Sequence, residues 1–185
     1  ALNGSLRSGG ALDASLAGTR VNLENLRYVM PKEERSADAR GFEGSVNVDV
    51  RLGGTLLSPV YDATLRAENV FFRGFPFGSI EGDLQYRNQA LHAELQVDNR
   101  ASSKSKTPDL TVEGTLPINL AFADVEQRLP EKEMQFRVYS EGLQMSLLDP
   151  LVPTFNQLSG ILKMNLTVGG LAKKPRFTGT MSVEQ

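Results

Sequence analysis

The stretch Val46-Asn47-Val48-Asp49-Val50-Arg51-Leu52-Gly53-Gly54 decides how the rest of the chain is read. Valine or leucine stands at every second position, and Asn47, Asp49 and Arg51 stand between them. That is the period of a strand with one face buried and the other in water, because successive strand side chains point to opposite sides. The glycines that follow tolerate positive φ, so the strand is expected to end in a Gly-Gly turn.

The same period recurs in both directions. Leu12, Ala14 and Leu16 alternate with Asp13 and Ser15, and Ala63, Leu65 and Ala67 with polar neighbours. Next come Ile80, Gly82, Leu84 and Tyr86, and across Asn88-Gln89 the set Leu91, Ala93, Leu95 and Val97. Later sets are Leu110, Val112, Gly114 and Leu116; Ile118, Leu120 and Phe122; Phe136 and Val138; and Leu143, Met145 and Leu147. Leu162, Met164, Leu166 and Val168, then Phe177, Gly179, Met181 and Val183, complete the series. This predicts roughly a dozen strands and an all-β class. Residues 31–40 and 100–108 are polar and unpatterned and read as loops. The second, with serines around Lys104 and Lys106, reads as the more mobile. Between Met145 and Gln157 at most a helical turn is expected, since Pro150 and Pro153 forbid a long helix.

The opening stretch also has a second copy. Offset by 116, residues 44–69 align without a gap on 160–185, with six of 26 positions identical. Gly44, Gly53, Gly54, Pro59, Thr64 and Glu68 match Gly160, Gly169, Gly170, Pro175, Thr180 and Glu184. Both copies spell strand, Gly-Gly, four variable residues, proline, strand. Repetition of this kind points to stacked β units rather than a closed barrel.

Composition bounds the chemistry. The 185 residues, 40% hydrophobic and 23% charged, suffice for one core-forming domain. There is no Cys, no Trp and one His, which removes disulfides, thiolate metal sites, cysteine nucleophiles and multi-histidine metal sites. A formal charge of −2 offers no basic surplus for nucleic acid. No apolar run is long enough for a membrane-spanning helix. The chain starts at Ala1 without a signal-peptide layout and reads as a piece of a longer protein, or a mature chain whose targeting segment is gone. His92 reads as structural or exposed, and Asp38, Asp49, Asp62, Asp83 and Asp98 lack calcium-loop spacing. Glu131-Lys132-Glu133 and Lys32-Glu33-Glu34-Arg35 mix signs as solvated faces do. Phe71, Phe72, Phe75 and Phe77 around Pro76 read as packing beneath a sheet edge, with a lipid-contacting lip as the other reading. No catalytic residue, metal site or cofactor is assigned, and no enzyme is expected.

The repeat resembles those of the TamB family and its AsmA-like relatives. The resemblance is most specific in Leu147-Leu148-Asp149-Pro150-Leu151, Leu158-Ser159-Gly160, Gly169-Gly170 and Lys174-Pro175-Arg176-Phe177 with Gly179. Ala67-Glu68-Asn69-Val70-Phe71-Phe72, followed by Gly82, has the same style. It covers nearly the whole chain and is strongest over 44–86 and 143–185. It implies a periplasmic segment, internal or C-terminal, of a long protein anchored in the inner membrane. The family's body is a curled, taco-like β-sheet with an apolar interior. Its members are bridge-like lipid transfer proteins associated with phospholipid transport and outer-membrane biogenesis. The family is also linked to protein secretion and autotransporter assembly with an Omp85-class outer-membrane barrel, which another part of the full-length protein would engage.

Physical chemistry supplies a mechanism for that expectation. A sheet with one apolar face must cover it, and one that merely curls leaves a gutter able to hold acyl chains. The expected lining is Val46, Val48, Val50, Leu52, Leu65, Leu84, Leu95, Val97, Leu110, Val112, Leu120, Phe136, Val138, Met145, Leu162, Met164, Leu166, Val168, Phe177, Met181 and Val183. Met134, with Met145, Met164 and Met181, would suit an adaptable lining or fill gaps in a dry core. The expected function is a passive conduit for phospholipid acyl chains across the periplasm. One alternative is a chaperone-like holder of outer-membrane protein strands. Another is a closed β-sandwich serving as a secreted scaffold or adhesion module. A slice of a longer sheet should also self-associate through exposed strand edges.

Overall fold

The computed structural model describes residues 2–7, 11–24, 42–72, 75–99, 108–149 and 158–185. They form one antiparallel sheet of ten strands whose spatial order is the order of the chain, with each strand beside its sequence neighbours. The strands are β1 (Leu2–Arg7), β2 (Ala11–Asn22), β3 (Phe42–Gly54), β4 (Pro59–Phe72) and β5 (Phe75–Arg87). The second half comprises β6 (Ala90–Asp98), β7 (Leu110–Pro117), β8 (Glu133–Gln144), β9 (Ile161–Leu171) and β10 (Lys174–Glu184). The sheet is open, with β1 and β10 at its edges. The described residues contain no second sheet, so the closed-sandwich alternative is set aside. The expected loops at 31–40 and 100–108 lie outside the described residues apart from Pro108, as do Pro150 and Pro153.

Turn chemistry sets the hairpins. Asn88 and Gln89 join β5 to β6 with φ of 54° and 58°, the paired positive values of a tight two-residue hairpin turn. The repeat is two hairpins in the same sheet, β3–β4 and β9–β10. In both, the second glycine has positive φ (83° at Gly54, 82° at Gly170) and pairs with the proline, Pro59 or Pro175. The Gly-Gly pair therefore closes the strand instead of forming the turn. The apex lies beyond it, at residues 55–58 in one copy and at Ala172-Lys173 in the other.

Irregularities gather at one margin, where β2, β4, β6, β8 and β10 end and β3, β5, β7 and β9 begin. The register shifts between Gly18 and Val21, between Glu43 and Ser45, between Ala67 and Val70, and between Ser140 and Leu143. Each extra residue bends its strand and sharpens the twist. Arg20 (φ 50°), Gly44 (φ 123°) and Asn69 (φ 51°) occupy the left-handed region at three of these steps. The Arg20 N–H donates to Asn47 Oδ1 at 2.9 Å. At the fourth, Ser140 Oγ accepts the N–H groups of Gly142 and Leu143 (3.2 and 3.0 Å) and donates to the Asp109 carbonyl at 2.5 Å.

Burial follows the bends. Leu23, Ala67 and Val70 form one buried cluster at this margin, and Leu143, Leu147 and Leu162 another. Phe77 of β5 packs against both. In a flat sheet β5 and β8 would lie about 14 Å apart, a gap closed by the bent margin and a 3-10 turn, Met145–Leu148, placed against β5. Met145 thus sits on that turn and not on the sheet. The alternation of Phe136, Val138 and Leu143 belongs to one bulged strand, β8, rather than two.

At the opposite margin a strap crosses the strand ends. After β7 the chain runs back toward β3: Ile118 N–H donates to the Gln89 carbonyl (3.0 Å) and Phe122 N–H to the Leu56 carbonyl (2.9 Å). Leu120 is held between two tyrosines. Its N–H donates to Tyr86 Oη at 2.8 Å, and its carbonyl accepts Tyr61 Oη at 3.2 Å. Arg128 clamps the strap by donating to the Asn119 and Ala121 carbonyls. Ile118, Leu120 and Phe122, read from the sequence as a strand, form this strap instead and join no ladder.

Candidate functional site

Strand partners in an antiparallel ladder share a face, so the register shows which residues line each side. One row crosses nine strands: Gly18, Val48, Leu65, Gly82, Leu95, Val112, Val138, Leu166 and Gly179. A second runs Leu16, Val50, Ala63, Leu84, Ala93, Gly114, Phe136, Val168 and Phe177. Toward the bulged margin Val46, Ala67, Ile80, Val97 and Leu110 form a third. Met164 with Met181 and Leu162 with Val183 continue the same face through β9 and β10. Leu52 joins it through Tyr61 and Tyr86.

Nineteen of the 21 expected lining residues therefore share one face of one sheet. The two exceptions are Leu120, on the strap, and Met145, on the 3-10 turn; neither lies on a strand. Sequence reasoning left the glycines out of the lining because they bring no apolar side chain. Their role is spatial. A Cβ at Gly82 would come within 2.6 Å of Leu95 Cδ2 and 3.1 Å of Leu65 Cγ, so its neighbours' side chains lie over its backbone. Tyr61 was also missed, although extending the alternation backwards from Ala63 reaches it.

The middle of this face is neither packed nor open. Val48, Leu65, Leu84, Leu95, Val112, Val138 and Leu166 are all half-buried; in these central rows only the small Gly82 and Ala93 are buried, whereas large apolar side chains reach full burial at the margins. A layer packed across the face would have driven these central residues to the burial seen at Leu162 (2% exposed). Toward the β10 edge exposure rises, to 67% at Phe177 and 61% at Met181. Phe72 is buried, 4.5 Å from the Phe42 ring centroid and 6.4 Å from that of Phe77, while Phe71 points outward. The phenylalanine cluster is thus largely packing at the bulged margin.

The opposite face is polar in equally regular rows. Asp49, Thr64, Asp83, Glu94, Glu113, Arg137 and Thr167 pair in succession. Ion pairs cross between strands, Arg87–Asp62 at 2.6 Å and Arg176–Glu133 at 2.8 Å among them. All are solvent-exposed and contribute at most about 1 kcal/mol each. His92 lies on this face, exposed, with Nδ1 3.3 Å from Thr115 Oγ1. Clefts occur here too, one of about 450 Å³ among Asn47, Asp49, Thr64, Arg66, Glu81 and Asp83. They are furrows between exposed side chains. Among the described residues no three acidic or histidine side chains converge as a metal site would require.

Titration shifts are few. Burial raises the Asp109 carboxyl above its ordinary value; the Asn99 N–H, donating to Oδ2 at 2.6 Å, opposes the shift, and Asp98 adds to it. Burial likewise raises Tyr61, and the nearby Tyr86 adds to the shift while Arg128 opposes it. Both residues hold structure at the margins. Among the described residues, the extended apolar surface is the aliphatic face of the sheet. Compared with known protein families, curated proteins and solved structures, the chain matches none.

Proposed function

We propose that the chain is a segment of a passive hydrophobic conduit whose apolar face holds phospholipid acyl chains passing between inner and outer membranes across the periplasm. The observation that carries this reading is the aliphatic row through Val48, Leu65, Leu95, Val112, Val138 and Leu166, half-buried and continuous from strand to strand. The row runs across the strands, so its length grows with strand number. Transport needs that geometry: a surface extended by adding strands, with no polar barrier along it. Each methylene laid on such a surface contributes about 0.8 kcal/mol. The contact is non-directional, so a chain can slide without breaking specific bonds.

Curvature into a taco-like gutter is part of the proposal. It is supported by the bulges gathered at one margin and by Gly18, Gly82, Gly114 and Gly179 on the apolar side, where a concave surface crowds side chains. The sequence resemblance to the TamB family supports the same reading. With it come a location in the periplasm as part of an inner-membrane-anchored protein, and an Omp85-class barrel engaged by another part of the full-length chain.

Lipid analysis of the purified protein tests it. The chain should carry phospholipid through purification, and Val48→Asp or Leu166→Arg should reduce the bound lipid at least several-fold, because an apolar cargo cannot compensate a charge placed in its path. Protein that is lipid-free yet folded, or variants that bind as much lipid as the parent, would sink the proposal. Bound outer-membrane protein strands in place of lipid would favour a chaperone-like holder.

A further inference from the structure

In the proposed gutter the axis crosses the strands, so the strand ends form its two lips. One lip carries an apolar tip. Between Arg51 and Asp62 the chain holds no charged residue, and two leucines project from the β3–β4 apex at residues 55–58. Leu57 is 71% exposed, more than any other large apolar side chain among the described residues, and Leu56 is 39% exposed. Phe122 of the strap, 54% exposed, lies beside them, its N–H bonded to the Leu56 carbonyl at 2.9 Å. Its ring centroid stands 6.2 Å from that of Tyr61, which pairs with Leu52 on the apolar face. The hairpin does not require these leucines: in the second copy of the repeat, Ala172 and Lys173 occupy their places.

We propose that this tip docks on the surface of a phospholipid bilayer and sets one lip of the gutter against it, where acyl chains pass sideways between membrane and apolar face. Three side chains cannot supply the roughly 800 Å² that each partner contributes to a stable protein interface. A bilayer, by contrast, takes up single apolar side chains at its headgroup boundary. Polar backbone groups at the apex are already matched. The Thr55 N–H donates to the Ser58 carbonyl and the Ser58 N–H to Thr55 Oγ1, both at 3.0 Å, while Phe122 holds the Leu56 carbonyl. Those bonds stay made as the tip enters the headgroup region, and no charge has to be desolvated with it. Asp124 and Glu126 are exposed on the strap nearby, so the tip suits a zwitterionic surface better than an anionic one. Docking does not need the face to carry lipid; the sideways passage rests on the conduit reading.

Because the chain has no tryptophan, Leu57→Trp provides a lone fluorescent probe. With phosphatidylcholine vesicles its emission should shift to the blue and be quenched by brominated acyl chains, whereas Glu94→Trp, on the polar face, should not change. The parent should float with the vesicles and continue to do so at high salt, since the contact is apolar. A Leu56→Asp, Leu57→Asp double variant, altered only at exposed side chains, should keep the parent's circular dichroism and bind vesicles roughly tenfold or more weakly. A parent that stays unbound, an unshifted Leu57→Trp, or a double variant that binds as well as the parent would overturn the inference. So would flotation only with vesicles that carry embedded protein, which assigns the tip to a protein partner. Phospholipid retained through purification is measured separately, and Val48→Asp should float while losing it. A parent that floats without retained lipid contradicts the conduit but not the docking, and a lipid-loaded parent that does not float does the reverse.

Discussion

Single residues at the bulged margin hold its irregular backbone in place. Ser140 is buried and replaces with one hydroxyl the ladder bonds that the bulge at Gly142 and Leu143 disrupts. Asp109 is buried close by and receives the Asn99 N–H, tying the end of β6 to the start of β7. Its carboxyl is raised, so the folded state holds that proton more tightly than the unfolded chain. Its contribution to stability is therefore full below the ordinary value of 3.8 and is lost as pH rises through the folded value. Asp109→Asn keeps an oxygen for the Asn99 N–H and removes the titration. Urea unfolding of both proteins at several pH values above 4 should show a flatter pH dependence for the variant. Parallel curves would mean that Asp109 is not the source. None of this was legible in the sequence, where Ser140 and Asp109 are ordinary polar residues and only tertiary placement makes them partners.

At the scale of elements, the sequence is most readable where interleaved charges mark the period. β3, with Asn47, Asp49 and Arg51 between valines, runs as the alternation predicts. The turn at Asn88-Gln89 also falls where expected: Asn88 is of a type that tolerates positive φ, and Gln89 is carried into the same region by the tight hairpin. The strap departs from its pattern. Ile118, Leu120 and Phe122 alternate as well as any strand, but periodicity records only that one side is apolar and does not name the partner. Here the partners are two tyrosine hydroxyls at Leu120 and the carbonyls of Gln89 and Leu56 at Ile118 and Phe122. Tyr86, 2% exposed, is the decisive one because it accepts the Leu120 N–H. Tyr86→Phe should leave that N–H unmatched and cost about 1–2 kcal/mol. Hydrogen exchange should report the loss first at Leu120 and Phe122, with β8 and β9 still protected. Unchanged protection at Leu120 would show that the strap is held by other contacts.

For the whole molecule, the apolar side was legible as a list of residues but not as a surface. Strand parity puts 19 of the expected residues on one face, together with glycines that alternation of apolar side chains does not single out. Nor does alternation foretell that the large central side chains stay half-buried while the margins close, since burial depends on what lies across the sheet. That contrast is the basis of the conduit proposal. The sharpest measurement compares neighbours on one strand that differ only in face. A photo-reactive amino acid at Val48 or at Leu166 is set against the same probe at Asp49 or at Thr167, in the presence of phospholipid vesicles. Phospholipid adducts are expected from Val48 and Leu166, and little from Asp49 and Thr167. Equal labelling from both faces, or none from the apolar one, would contradict it.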